Sequence, residues 1–265
     1  MLYFSVDGVV IKMLVVKIGG SLLEEDLEKF YDDWTGDILV HGGAKKVTEI
    51  GEKLGVKQEF IVSPSGFKSR HTDEKTLEIF TMVLSGLINK KLVIGLLSKG
   101  HKAVGFSGID GEILKGKRKK GVLAKIGEKV VRIEDFSGNV IGVNTELLKL
   151  LVVNGYVPVI ASVAYGEGTA LNVDGDRSAA KIAVETGAEK LLILTDVEGV
   201  IIEGNIVSEI KLYELDEYID HVGVGMKKKL LAAKEALEGG VKEVIISSGK
   251  KEKPVSQPTG TRVIR

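Results

Sequence analysis

The stretch that decides the fold of this chain is Val15-Val16-Lys17-Ile18-Gly19-Gly20-Ser21, a short apolar run that carries one lysine into paired glycines. The β-branched residues predict a buried strand. A strand that ends in Gly-Gly leaves backbone N–H groups free to face an anion, because no Cβ stands in the way. Lys17 adds a full positive charge beside these groups. The stretch therefore predicts a phosphate site.

The order of predicted elements is repeatedly strand, then helix, which is typical of an α/β protein with a mainly parallel sheet. Strands are predicted over 13–18, 37–41, 102–106, 157–161, 191–195 and 241–246, with a closing edge strand over 261–264. Helices are predicted over 24–34, 44–54, 74–97 with a break near 86–89, 145–153, 176–186, 213–219 and 225–237. Residues 63–66 predict a turn-rich loop and 108–139 predict hairpins. We expect a three-layer αβα sandwich around an open, mainly parallel sheet.

Domain organisation follows from the lack of a linker, since proline and glycine are dispersed along the chain. We expect residues 1–12 to be an N-terminal extension of little functional weight. We expect residues 13–265 to form one domain whose two lobes, 13–170 and 171–265, share one sheet.

Composition excludes several classes of site. The chain has 37 basic and 37 acidic residues, so no net charge attracts it to nucleic acid or to an anionic membrane. It has no cysteine, which excludes disulfides, thiolate metal sites and thiol nucleophiles. Four scattered histidines do not favour a histidine-rich metal site. No apolar stretch approaches the roughly 20 residues of a membrane span, and the composition favours a cytosolic protein.

A second strand also ends in paired glycines, Gly42-Gly43, directly after His41. Either pair alone is more often an ordinary turn. In an open α/β sheet, however, the carboxyl ends of the strands line the ligand crevice. Both sets of amides are therefore expected to converge on one anion, an arrangement that suits phosphoryl transfer, which depends on fixed donors around a charged transition state.

Other charged residues fall at similar places. Asp176 begins a helix after Asn172, so a carboxylate and an amide are expected to face the crevice, although a simple N-cap is the alternative for Asp176. Lys227–Lys229 lie near a helix N-terminus, where the helix dipole disfavours cations. Either these lysines lie beside a bound anion, or their side chains are simply exposed to water. Arg70 precedes a helix and is placed to clamp a carboxylate bidentately.

Two other phosphate signatures fail on their context. Residues 111–117 nearly match the P-loop spacing, but Arg118 stands where a serine or threonine should hold magnesium, and a strand follows instead of a helix. Gly223-Val224-Gly225 lacks the third glycine of the dinucleotide fingerprint and follows a helix, not a strand.

Six blocks together resemble the amino acid kinase family in order and spacing from Met13 to Arg265. They are KIGGS at 17–21, VHGG at 40–43, RxTD at 70–73, LNVDGD at 171–176, TDVEGV at 195–200 and GMKKK at 225–229. RxTD with the long helix after it resembles the acetylglutamate kinase branch. The longer block 63–73, with Gly86-Leu-Ile-Asn-Lys90, looks most like the kinases of carrier-dependent lysine and arginine synthesis. Ala44 departs from the third glycine that the branch has at this turn.

The resemblance implies ATP with Mg²⁺ and a transfer to the side-chain carboxylate of aminoadipate or glutamate that is linked to the carrier protein LysW. The alternatives are a kinase of free N-acetylglutamate and a non-catalytic nucleotide-binding regulator. The resemblance assigns a substrate lobe to 13–170 and a nucleotide lobe to 171–265. The implied roles are catalysis for Lys17, Lys229 and Asp176, phosphate binding for Gly19, Gly20 and Ser21, substrate binding for Gly42, Gly43, Arg70 and Asn172, and nucleotide binding for Thr195, Asp196 and Gly225. No residue is assigned to a protein-held metal.

A carrier-borne substrate requires a docking surface, and an acidic carrier favours a basic one. Lys45, Lys46, Lys68 and the cluster Lys115–Lys120 are the candidates, with a solvated hairpin as the alternative. The branch also implies a homodimer through the long helix of the first lobe. The sequence shows no long helix before Lys17, so we do not expect the arginine-regulated hexamer of some acetylglutamate kinases.

Overall fold

The strand predicted first lies in the middle of an eleven-stranded sheet. The computed structural model describes the backbone of residues 5–6, 9–10, 12–62, 68–126 and 129–265, and the side chains of 12–61, 69–123 and 130–265. The predicted loop at 63–66 and most of the predicted extension at 1–12 lie outside the described residues.

The strands in chain order are β1 (Ser5–Val6), β2 (Val9–Val10), β3 (Leu14–Ile18), β4 (Ile38–His41), β5 (Phe60–Val62), β6 (Lys68–Arg70), β7 (Lys102–Gly108), β8 (Leu114–Arg118), β9 (Val122–Ile126), β10 (Lys129–Ile133), β11 (Gly138–Val143), β12 (Tyr156–Gly166), β13 (Thr169–Asn172), β14 (Lys190–Thr195), β15 (Ile201–Ile202), β16 (Asn205–Ile206), β17 (Glu209–Lys211), β18 (Glu243–Ser248) and β19 (Gly260–Ile264).

The helices are α1 (Glu28–Asp32), α2 (Ala44–Lys53), α3 (Glu74–Thr81), α4 (Asn89–Ser98), α5 (Thr145–Val153), α6 (Gly175–Thr186), α7 (Leu215–His221) and α8 (Val224–Glu238). Short 3₁₀ turns cover Leu22–Glu24, Asp110–Glu112 and Leu212–Glu214. The predicted helix over 24–34 is therefore only partly correct. The Asp26 carboxylate accepts a hydrogen bond from the Glu28 amide at 3.0 Å, so the helix begins again there as α1.

The main sheet has the strand order β11-β8-β12-β4-β3-β14-β18-β19-β17, and β7 and β13 also pair with β12. The central strands β12, β4, β3, β14 and β18 run parallel, as predicted. The prediction that the last strand is the edge is wrong, because β19 pairs antiparallel with β18 and parallel with β17. The true edge, β17, is only three residues long and gives no periodic signal in the sequence.

Alternating side chains of β3 enter two hydrophobic cores, one on each face of the sheet. Val15 packs in a core that includes residues of α5, α6, α7 and α8, whereas Val16 and Ile18 pack in a core with residues of α1, α2, α3 and α4. All three side chains are fully buried, and each contributes roughly 1.5–3 kcal/mol by leaving water. The predicted αβα sandwich is confirmed.

A single helix runs from Glu74 to Ser98, because a π-helical segment, Met82–Ile88, joins α3 to α4. The predicted break near 86–89 is therefore wrong. Asp73 caps the helix by accepting from the Thr76 amide at 2.8 Å. This helix of 25 residues is long and apolar enough to cross a membrane, judged by length and composition alone, and its most apolar part has a mean hydropathy of 1.6. The expectation that no apolar stretch approaches the length of a membrane span is therefore also wrong. In the structure 44% of the most apolar part of this helix is buried inside the protein, and a helix of a protein core has the same length and composition.

Candidate active site

Three charged side chains from three elements meet at the carboxyl end of the central strands. Lys17 of β3 lies with its Nζ 2.6 Å from Oδ1 of Asp176, and Lys229 of α8 lies with its Nζ 3.0 Å from Oδ2 of the same carboxylate. Lys17 and Asp176 are each 6% exposed. The three residues that the sequence assigned to catalysis are therefore together, with one carboxylate bridging two lysines.

The start of α6 explains why the Asp176 carboxylate is free to bridge. Asp174 is the N-cap, since its Oδ1 accepts hydrogen bonds from the amides of Asp176 at 3.0 Å and Arg177 at 3.1 Å. The alternative that Asp176 is the N-cap is therefore wrong, because the N-cap lies two residues earlier, at Asp174. A carboxylate in the first helical turn is favoured by the helix dipole, and the α6 backbone packs on the Lys17 stem.

The electrostatics of the cluster favour an anion. Burial lowers the pKa of Lys17, and the charge of Lys229 adds to this effect, while Asp176 opposes it. Burial acts against ionisation of Asp176, but the two lysines outweigh it and hold the pKa of this carboxyl below its usual range. Lys17 and Lys229 share the one carboxylate of Asp176, so these three largely buried side chains together carry one more positive than negative charge and stabilise a negatively charged group beside them.

The two glycine turns lie against each other, as the sequence predicts. A Cβ on Gly20 would stand 3.3 Å from Cα and 3.4 Å from the backbone nitrogen of Gly43. Gly43 has a φ of +149°, and a Cβ there would stand 2.2 Å from Cδ1 of Ile88. Side chains are thus excluded from this contact on conformational and steric grounds.

The amide of Gly19 does not face the crevice. It donates to the carbonyl oxygen of Leu194 at 2.9 Å, which extends the pairing of β3 with β14. The prediction that this amide binds phosphate is therefore wrong. Gly19 is needed for the close approach of the strands, since a Cβ would stand 3.0 Å from that same oxygen.

A cleft of about 410 Å³ opens in front of the lysine cluster. Its lining includes Lys17, Gly19, Gly20, Ser21, Thr195, Asp196, Ile201, His221, Gly225, Met226 and Lys229. The residues predicted to bind phosphate and nucleotide therefore line one space. Burial raises the pKa of the Asp196 carboxyl, but hydrogen bonds from its own amide, Thr195 and Ser21, with the charge of Lys229, together lower it below the usual value.

Arg70 is not among the residues that line this cleft, and its guanidinium has protein partners. Its guanidinium donates to the Ala44 carbonyl oxygen and to Oγ1 of Thr48, each at 2.7 Å, and also to Gln58. It is 7% exposed and lies over the Phe60 ring, 5.0 Å from its centroid. Arg70 thus ties β6 to the start of α2, and its role as a substrate clamp stays a prediction.

Asn172 belongs to a network that the sequence reasoning missed. Its side-chain amide donates to Oγ1 of Thr72 at 2.9 Å, and the Thr72 amide donates to the buried Asp135 carboxylate at 2.8 Å. Asp135 also accepts from the Ser137 amide at 2.6 Å. The segment after β10 thereby joins the segment after Arg70 to the end of β13. No sequence pattern marks this, because Thr72 and Asp135 are 63 positions apart.

Arg118, Lys119 and Lys120 of the basic cluster line the rim of a second concavity of about 370 Å³, together with Arg132, Glu134, Asp135 and Glu167. Among the described side chains of this rim, Arg118 pairs with Glu134 at 3.0 Å, while Lys119 and Lys120 have no acidic partner. Lys45 and Lys46 each pair with a glutamate, and Lys68 lies outside the described side chains. Lys119 and Lys120, in the β8–β9 turn, are therefore two exposed cations that this rim presents to solvent.

Comparison with known proteins agrees with this geometry. The sequence model of the amino acid kinase family matches residues 12–248. The chain is 44% identical over 254 residues to a protein of Cenarchaeum symbiosum (strain A) that carries the provisional name LysW-aminoadipate/LysW-glutamate kinase, covering 92% of this chain and 95% of that protein. It is 38% identical over 251 residues to the LysW-aminoadipate/LysW-glutamate kinase of Saccharolobus solfataricus, with coverage of 92% and 95%.

Among solved structures, the protein smu.665 of Streptococcus mutans superimposes with a TM-score of 0.77 at 23% identity. The superposition covers 96% of this chain and 98% of that one, so the fold is shared over its whole length.

Proposed function

The chain belongs to the amino acid kinase family, and we propose that it transfers the γ-phosphoryl group of ATP to the side-chain carboxylate of 2-aminoadipate or glutamate linked to the carrier protein LysW. The observation that carries the proposal is the pair Lys17 and Lys229 on the Asp176 carboxylate, at the end of a cleft of about 410 Å³. Two nearly full-length relatives with this substrate pair in their names support the acceptor.

In the proposed reaction a carboxylate oxygen of the acceptor attacks the γ-phosphorus as the bond to the β–γ bridging oxygen of ATP breaks. The products are an acyl phosphate and ADP, and no protein group has to gain or lose a proton. Lys17 and Lys229 stabilise the charge on the transferring group, and Asp176 orients both lysines. The Gly20 and Gly43 turns hold the phosphoryl oxygens, while Thr195, Asp196 and Gly225 lie on the nucleotide side.

We propose that magnesium arrives with ATP. Mg²⁺ in phosphoryl-transfer sites takes most of its ligands from phosphates and water and needs only one or two carboxylates. The described residues contain no cluster of three or more metal-binding side chains, and Asp196 offers an exposed carboxylate in the cleft. These residues fit an ion carried by the nucleotide, which would neutralise phosphate charge when bound.

The carrier docks, in this proposal, on the rim formed by Lys119 and Lys120. Exposed cations without acidic partners attract an acidic protein and raise its association rate, an effect that salt weakens. The same rim follows β8, whose neighbour β12 leads through β13 to Asn172. A docked carrier would therefore deliver its substrate arm toward the residues predicted to bind the acyl group.

We also propose a cytoplasmic homodimer that acts in lysine biosynthesis. The α3–α4 helix exposes Met82, Leu87, Ile94 and Leu97 to between 51% and 66%. Apolar side chains exposed at this level along one helix favour burial against a second copy.

A hydroxamate assay tests the function. The protein is incubated with ATP, Mg²⁺ and hydroxylamine, and carrier-linked aminoadipate, carrier-linked glutamate and free N-acetylglutamate are compared. We expect hydroxamate from the carrier-linked acids, with rates that differ by no more than about 200-fold, since one methylene is worth about 1–3 kcal/mol. Hydroxamate from the free acid alone would identify an N-acetylglutamate kinase. ATP binding without any hydroxamate would identify a non-catalytic nucleotide-binding protein.

A further inference from the structure

A buried histidine precedes the second glycine turn and has no role in the reaction described above. His41 is the last residue of β4 and is fully buried. Its Nδ1 lies 3.0 Å from the carbonyl oxygen of Gly42, and its Nε2 lies 3.1 Å from Nδ2 of Asn89. Asn89 is also fully buried and begins α4, immediately after the π-helical segment.

The partners of Asn89 determine which nitrogen of His41 carries the proton. Asn89 Nδ2 lies 2.9 Å from the carbonyl oxygen of Val159 and 3.1 Å from that of Phe106. Carbonyl oxygens only accept hydrogen bonds, so the donor end of the amide must face them. The amide has two hydrogens for three acceptors, so Nε2 of His41 shares one of them with a carbonyl oxygen. A proton on Nε2 would face only N–H groups, so Nε2 is unprotonated.

The ring is also neutral. Burial lowers the pKa of His41 to about 4, and the charges of Lys17 and Lys90 add to this effect, while the contact with Gly42 opposes it. A neutral ring without a proton on Nε2 carries its proton on Nδ1. Nδ1–H therefore donates to the carbonyl oxygen of Gly42.

The hydrogen bond from His41 to the carbonyl oxygen of Gly42 fixes the direction of the Gly43 N–H. In a trans peptide the C=O of Gly42 and the N–H of Gly43 point in opposite directions. With the carbonyl held by His41, the Gly43 N–H points away from the core and lies at the facing Gly20 turn. No acceptor in the described part of the chain takes this N–H. On the other side, Ile88 of the π-helical segment packs on Gly43 and keeps the turn in place.

We propose that His41 and Asn89 are a positioning pair that aims the Gly43 N–H at the transferring phosphoryl group. The proposal rests on the function proposed above and adds two residues to it. Neither touches a substrate, so both act through the Gly42–Gly43 peptide. The pair also links this peptide to the long helix, because Asn89 stands at the junction of its π-helical and α-helical parts.

Two substitutions separate positioning from mere packing. In His41→Asn the side-chain nitrogen stands near the place of Nδ1, so the donor to Gly42 is kept. In His41→Gln the nitrogen stands near the place of Nε2, so that donor is lost. We expect His41→Gln to lower kcat about 10–100-fold, with KM values for ATP and acid within about 3-fold of wild type. The expected loss of kcat is smaller than the roughly 100–1000-fold found when one preorganised donor is removed, because the Gly43 N–H is still present but less well aimed. We expect His41→Asn to stay within about 5-fold. Equal kcat losses in the two variants, or an unchanged kcat in His41→Gln, would overturn the proposal.

A second measurement needs no substrate and remains decisive if a variant fails to fold. Long-range ¹H–¹⁵N spectra of the wild-type protein at pH 7 report which ring nitrogen of each of the four histidines is protonated. We expect a neutral ring with its proton on Nδ1, assigned to His41 by its loss in His41→Asn or, failing that, by elimination with single variants of His71, His101 and His221. A proton on Nε2 of His41 would overturn the positioning pair. Absence of hydroxamate from wild type with every acid would contradict only the proposed function.

Discussion

Replacing Lys17 by methionine removes one of the two charges proposed to stabilise the transferring group, while it keeps most of the volume of the side chain. A cation about 4 Å from a phosphoryl oxygen contributes about 4 kcal/mol at an effective dielectric constant of about 20. Lys17 is 6% exposed, so little water screens it. This energy lies in the range of about 3–4 kcal/mol found for one preorganised donor. We expect kcat in the hydroxamate assay to fall at least 100-fold.

The fold should tolerate this change. Asp176 keeps Lys229 at 3.0 Å, so no buried charge is left without a partner, and the free energy of unfolding in urea should fall by less than the roughly 3–5 kcal/mol typical of a broken buried pair. Lys228→Met is the matched control, since Lys228 is half-exposed and lies 3.5 Å from Asp174. A folded Lys17→Met enzyme that retains kcat within about 3-fold of wild type would refute the reasoning. Lys17→Arg provides a second variant if methionine prevents folding.

Three further predictions test stability, assembly and carrier use. The pKa of His41 is about 4 in the folded protein, below its usual 6.5, so its contribution to stability is complete above pH 6.5 and is lost as pH falls toward 4. Urea unfolding should lose about 3 kcal/mol more over this window in wild type than in His41→Asn, and equal losses would contradict the buried neutral ring. Ile94→Asp, at a position 66% exposed on α4, should convert the proposed dimer into a monomer in light scattering, whereas the control Leu150→Asp on α5, 61% exposed, should leave it intact. Lys119→Glu combined with Lys120→Glu should raise KM for carrier-linked acid about 10-fold at low salt and much less at 1 M salt, and an equal change with a free acid would exclude a docking role.

The sequence predicted those features of the fold that depend on local pattern. The alternation in β3 and the paired glycines after β3 and β4 are visible along the chain, and both turns lie where the strand order predicts. The meeting of Lys17, Asp176 and Lys229 was reached through the family resemblance. Their 2.6 Å and 3.0 Å contacts come from the structure alone.

Two of the wrong predictions share a physical cause, which is packing or pairing with residues distant in sequence. Gly19 looks like a free donor until Leu194 of the neighbouring strand takes its amide. The segment around Gly86 has weak helix propensity, yet burial of Leu84 and Ile88 carries the helix through it. The N-cap of α6 is a different case, because Asp174 and Asp176 are the same residue type two positions apart and only the hydrogen bonds distinguish them.

The bridging carboxylate of Asp176 also has a consequence for biosynthesis of the protein itself. Its two lysines come from the first core strand and from a helix near the end of the chain. A ribosome-bound chain that has not yet exposed α8 therefore holds Lys17 and Asp176 without the second cation. The contact of Lys229 with Asp176 spans 53 positions and cannot form before α8 has been synthesised. The active site would thus be completed in one step, when α8 packs on the sheet and Lys229 reaches Asp176. Kinase activity would therefore report complete folding of the chain.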